Sequence, residues 1–169
     1  AINKDKNSGL TEEQLKGIIK YKRELYRKLA EGNIRVYPGV KETLKMLRQN
    51  GILLALVTGS NRKSVTKVIG EAGLNDSFDT IVTGEDTEKG KPYADPYKKA
   101  MEKLGVKSEN SVVVENAPLG IRSAKAANVD YVIGVTTTLP EQYLNEADDV
   151  MPAFTDVEKC LAKRLKKTK

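Results

Sequence analysis

Residues 52–61 read Ile52-Leu53-Leu54-Ala55-Leu56-Val57-Thr58-Gly59-Ser60-Asn61, and this stretch decides the fold. Its apolar run is short, continuous and bounded by Gly51 and Gly59, which predicts a strand buried on both faces. The pattern around it alternates. Upstream, Pro38 opens a helix with Val40, Leu44 and Leu47 on its buried face, and Gly51 ends it. Downstream, residues 61–72 predict a helix with Val65, Val68 and Ile69 inside, and residues 80–83 a short strand. A helix follows over 96–104, ended by Gly105, then a strand over 111–114. Residues 118–127 predict an alanine-rich helix ended by Asn128, and 131–135 another strand. Residues 141–145 are expected as a short helix, 149–151 as an edge strand and 156–165 as the terminal helix. Such alternation argues an α/β domain whose parallel sheet carries helices on both faces.

Ahead of this region, Thr11 and Gln14 have the spacing of a capping box. Leu15, Ile18, Ile19, Leu25, Tyr26 and Leu29 then recur at helical spacing, with Gly32 as the stop. Hydrophobic residues make up 39% of the 169-residue chain and charged residues 31%, enough for one core under a heavily solvated surface. No apolar run approaches the roughly 20 residues that cross a bilayer, and the N-terminus has no secretory pattern. Cys160 is the only cysteine, so a disulfide within the chain is excluded and a reducing, cytoplasmic location is expected. The net charge is +6, and Lys159, Lys163, Arg164, Lys166, Lys167 and Lys169 gather at the C-terminus. No aromatic residue interleaves with those charges, as single-stranded nucleic acid would require. The tail therefore reads as a solvated helix end. A basic nucleic-acid-binding α/β domain stays as an alternative, one whose binding would fall steeply with salt.

Ligands of open parallel sheets bind beyond the carboxyl ends of the strands. Thr58-Gly59-Ser60 follow the first run, and Thr58 and Ser60 suit either helix capping or phosphate held at a helix N-terminus. Gly59 lets the backbone approach an anion closely. Lys91, between Gly90 and Pro92, is either a surface lysine or a fixed ammonium that neutralises phosphate. Glu115 and Asn116 directly follow a strand and precede Pro118. They are either hard oxygen donors suited to Mg²⁺, or a lysine's partner and a helix cap. Thr136-Thr137-Thr138 follow the next strand.

The order of these strand ends resembles the haloacid dehalogenase-like hydrolase superfamily, in the cap-bearing branch of β-phosphoglucomutases and phosphoglycolate phosphatases. Tyr37-Pro38-Gly39-Val40 is similar to that branch's return from cap to core. Thr58-Gly59-Ser60 looks like its second motif, Gly90-Lys91-Pro92-Tyr93-Ala94-Asp95-Pro96-Tyr97 its third, and Glu115-Asn116 with Gly120-Ile121 its fourth. The likeness runs over residues 37–154. It implies a Rossmann-like core over 33–169 and the C-terminal part of a helical cap over 1–32. It also implies phosphate binding by Thr58, Gly59, Ser60 and Lys91, with Thr58 and Lys91 catalytic. Mg²⁺ would sit on Glu115 and Asn116, and the substrate would be a small phosphorylated metabolite.

Two departures stand out. The branch usually has aspartate where Asn116 stands, and an amide oxygen would hold a cation more weakly or through water. No Asp-x-Asp follows an apolar run near the N-terminus, where the family carries its nucleophile and its acid/base. The chain is therefore expected to be a fragment, inactive alone, whose partner is the missing N-terminal segment of the same protein. The alternative is a non-catalytic phosphate-binding relative. A missing first strand predicts a gap in the sheet beside the strands that end at Thr58 and Glu115.

Overall fold

The computed structural model describes residues 9–30 and 34–167. The chain divides into two compact units, Ala1–Arg35 and Val36–Lys169. The first holds helix α1, Glu12–Ala30. Its capping box forms as predicted: Gln14 N–H donates to Thr11 Oγ1 at 3.2 Å and Thr11 N–H to Gln14 Oε1 at 2.9 Å. Leu15 is half-buried on this helix, and Ile18, Ile19 and Leu25 are exposed. The stop at Gly32 and the side chains of Tyr26 and Leu29 lie outside the described residues.

The second unit alternates as expected. Helix α2 spans Val40–Gln49, strand β1 Ala55–Val57, α3 Arg62–Glu71, β2 Thr80–Val82 and α4 Asp95–Leu104. Strand β3 then spans Val112–Glu115, α5 Pro118–Ala126, β4 Tyr131–Val135, β5 Asp149–Met151 and α6 Phe154–Lys167. All pairing is parallel. Leu56 faces Ile81 in β1–β2, Glu115 faces Gly134 in β3–β4, and Val135 faces Met151 in β4–β5. Gly105 ends α4 in the left-handed region at φ 66°, and Asn128 follows α5 at φ 56°, where both stops were expected.

Helices cover both faces. On one, Tyr97 of α4 and Ile121 and Ala124 of α5 pack with Val132, Val129 and Leu144. On the other, Leu47 of α2 and Val157 and Leu161 of α6 pack with Leu54, Ile133 and Val135. Strand β4 thus sends Val132 to one layer and Ile133 and Val135 to the other, the period-two alternation of a strand buried on both sides.

Three expectations need correction. The run over 52–57 is not a fully buried strand: only Ala55–Val57 pair, and Ile52 and Leu53 are 36% and 49% exposed. The closure of α2 consumes its start. Gly51 turns at φ 73°, and the Ile52 N–H reaches back to the Leu47 carbonyl at 3.1 Å. Residues 141–145 do not form a regular helix. They make a single 3₁₀ turn, Glu141–Tyr143, which drops Leu144 into the core. The strands also do not form one ladder. They fall into a pair, β1-β2, and a trio, β3-β4-β5. The break lies between the strands that lead to Thr58 and Glu115, where the gap was expected.

Candidate active site at the strand ends

Lys91 bridges the break. Its ammonium donates to the Val57 carbonyl at 3.1 Å and to Glu115 Oε1, so one side chain ties the end of β1 to the end of β3. Its third N–H has no partner among the described residues. The loop that carries Lys91 is held from both sides. Tyr93 N–H closes a turn onto Gly90 O at 3.0 Å, and the buried Ser123 hydroxyl of α5 donates to the Tyr93 carbonyl. The Lys91–Pro92 peptide bond is cis.

Glu115 is 8% exposed, and both of its carboxylate oxygens accept hydrogen bonds. Tyr97 O–H donates to Oε1 at 2.6 Å, and the Asn116 N–H to Oε2 at 3.2 Å. Burial pushes the Tyr97 phenol far above its ordinary pKa, and the Glu115 carboxylate adds to the shift, so Tyr97 stays a donor. The Lys91 ammonium lies 5.2 Å from the centre of the Tyr97 ring. Gly120, in the first turn of α5, makes room for the carboxylate. A Cβ there would lie 2.0 Å from Glu115 Cδ and 2.2 and 2.3 Å from its oxygens.

Asn116 does not cap α5. The N-cap is Ala117, which makes no side-chain bond. The Asn116 amide nitrogen donates instead to Thr138 Oγ1 at 3.1 Å, and the Thr138 hydroxyl donates to the Asn116 carbonyl at 3.3 Å. The first loop is similar. Asn61 caps α3 through Ser64 N–H at 2.9 Å, which leaves Thr58 and Ser60 free of that task. Thr58 Oγ1 accepts from Ser60 N–H at 3.1 Å. The Gly59 N–H and the Thr58 hydroxyl proton have no partner among the described residues. Gly84 packs its backbone on this loop, and a Cβ there would sit 2.5 Å from Gly59 O.

The strand ends therefore bring Thr58, Lys91 and Glu115 together, with Gly59 and Ser60 on one side and Asn116 on the other. Tyr97, Gly120 and Thr138 were not assigned to the site from sequence. All three lie inside stretches singled out there, at or after strand ends, but their tasks depend on contacts between distant positions. A fourth group was also missed. Asp86 accepts from Thr83 N–H at 2.7 Å and Thr83 O–H at 2.6 Å, and pairs with Arg62 at 2.6 Å and Lys103 at 3.4 Å. It fixes the turn after β2.

This arrangement defines a class. A family model for haloacid dehalogenase-like hydrolases matches residues 3–134, and the chain belongs to that family. Over 119 residues it is 33% identical to the validoxylamine A 7'-phosphate phosphatase of Streptomyces hygroscopicus subsp. limoneus, covering 70% of this chain and 55% of that protein. It is 35% identical over 115 residues to the pyrophosphatase PpaX of Halalkalibacterium halodurans, covering 68% and 54%. The chain thus spans about half the length of these curated relatives. The β-phosphoglucomutase of Clostridium difficile superposes with a TM-score of 0.80 over 97% of this chain and 72% of that one. Its 22% identity makes that a likeness of fold.

Proposed function

We propose that the chain carries the phosphate- and metal-handling residues of a Mg²⁺-dependent phosphoryl-transfer hydrolase, a phosphatase or phosphoglucomutase-like enzyme acting on a small phosphorylated metabolite. The observation that carries this is Lys91, whose ammonium spans the break between β1 and β3 and keeps one N–H without a partner among the described residues. The named activities of the relatives, on validoxylamine A 7'-phosphate and on pyrophosphate, point the same way.

The donors present fit Mg²⁺. Among the described residues no cluster of three His, Cys, Asp or Glu could hold a metal. Glu115 and Asn116 offer one carboxylate and one amide oxygen, and Gly120 leaves the cradle in which the carboxylate lies. Mg²⁺ typically takes one or two carboxylates and fills its shell with water and substrate phosphate. Bound there, it would neutralise phosphoryl charge and polarise a phosphoryl oxygen.

The nucleophile in this scheme is an aspartate on a strand seated between β1 and β3, upstream of Ala1. Its carboxylate oxygen bonds to phosphorus as the bond to the leaving oxygen breaks, which is nucleophilic catalysis by a carboxylate. A second aspartate gives the leaving oxygen its proton; water or a sugar hydroxyl then bonds to phosphorus as the aspartyl oxygen–phosphorus bond breaks, and its proton returns to that second aspartate. The Lys91 ammonium, the Thr58 hydroxyl and the Gly59 N–H hold the equatorial oxygens, so this chain contributes position and charge.

The test is phosphate release from an aryl phosphate with Mg²⁺, on the 169-residue chain and on the protein extended through its native upstream sequence. The extended protein turns over and the short chain does not. Lys91→Ala in the extended protein lowers kcat by about 10²–10³, the usual cost of one preorganised donor. Silence of the extended protein on every phosphate ester refutes the proposal.

A further inference from the structure

The three threonines after β4 have no role in the scheme above, yet one of them decides what Asn116 can do. A primary amide presents an oxygen at one end and two N–H donors at the other. Facing a cation, the oxygen attracts and the NH₂ repels, so the rotation of the group sets the sign of its contribution. At Asn116 that rotation is constrained. Thr138 Oγ1 accepts from the amide nitrogen at 3.1 Å while its own proton goes to the Asn116 main-chain carbonyl at 3.3 Å. With its proton committed, the hydroxyl turns its lone pairs toward the amide and receives only the NH₂ end. Asn116 Oδ1 is left with no donor among the described residues. An aspartate at this position would need no such partner, because both ends of a carboxylate are acceptors.

We propose that Thr138 is a positioning residue, which holds the Asn116 side chain with its oxygen available to a divalent cation and so lets a neutral amide serve beside Glu115. This rests on Glu115 and Asn116 being the cation-holding pair. Partners of this kind typically contribute 10–100-fold to metal affinity.

The test is an MgCl₂ titration of the ¹⁵N-labelled 169-residue chain followed by NMR, which reports both affinity and the Asn116 side-chain resonances. Thr138→Val should weaken Mg²⁺ binding about 10-fold or more and shift the Asn116 NH₂ signals, with the remaining spectrum intact. Thr138→Ser, which keeps the hydroxyl, should titrate like wild type. In an Asn116→Asp background, Thr138→Val should cost little. Two results overturn the proposal while leaving the cation site standing: Thr138→Val titrating like wild type when Glu115→Gln is weakened, or an equal loss from Thr138→Val in the wild-type and Asn116→Asp backgrounds. A wild-type chain that does not respond to Mg²⁺, or a Glu115→Gln variant that responds as wild type does, removes the cation site and this proposal together.

Discussion

Gly120 shows how closely the site is built around one carboxylate. Any Cβ there would overlap the end of the Glu115 side chain, and the carboxylate can yield only by leaving Tyr97 and Lys91. Gly120→Ala should therefore move Glu115 without unfolding the chain. The expected cost is about 1–3 kcal/mol of stability, typical of overpacking, together with loss of Mg²⁺ binding. Thermal unfolding and an MgCl₂ titration check the two parts. At this scale the sequence revealed the residues whose neighbours along the chain give them away. Lys91 sits in a Gly-Lys-Pro loop, and Glu115 directly ends an apolar run. Tyr97, Gly120 and Thr138 were passed over because their work is done on residues 18, 5 and 22 positions away, and no local pattern shows that a phenol, a missing Cβ or a hydroxyl will meet a particular side chain.

Among the elements, the turn after β2 gives the clearest electrostatic prediction. The Thr83 hydroxyl and then the Thr83 N–H hold the Asp86 carboxyl far below its ordinary range, against an opposing effect of burial, with Lys103 adding a lesser lowering. A depressed carboxylate stabilises the fold above its unfolded pKa near 3.9, and that stability is lost as pH falls toward the folded value. Urea unfolding from pH 7 to pH 2 should show a decline beginning below about pH 4. Asp86→Asn should be less stable at pH 7 and show a shallower acid decline. The helices and strands were legible because their apolar periods agree with their stops, as with Gly105 behind α4 and Asn128 behind α5. The run over 52–57 misled because composition cannot say where a helix closure ends and a strand begins. Ile52 is apolar, but its N–H belongs to the end of α2.

Over the whole molecule, the dominant feature is the break between the β1-β2 pair and the β3-β4-β5 trio. Two parallel edges end beside each other, joined by the Lys91 side chain, and an open strand edge is a template for another strand. The basic C-terminus is partly engaged in contacts within the fold. Arg164 stacks on the Tyr131 ring at 3.8 Å and pairs with Asp130, which ties α6 to the start of β4, while the Lys159–Asp156 pair lies within α6 itself. Across the break, the account requires a strand that delivers a carboxylate to the phosphoryl group. The measurement that bears most directly on it is acid-quench trapping of the extended protein during turnover with Mg²⁺, with the phosphoryl group located by mass spectrometry. The account predicts one phosphoryl group, on an aspartate upstream of Ala1, and none on the 169-residue chain treated alike. Turnover with the group on Thr58 or Ser60, or with no phosphoprotein at all, would contradict it.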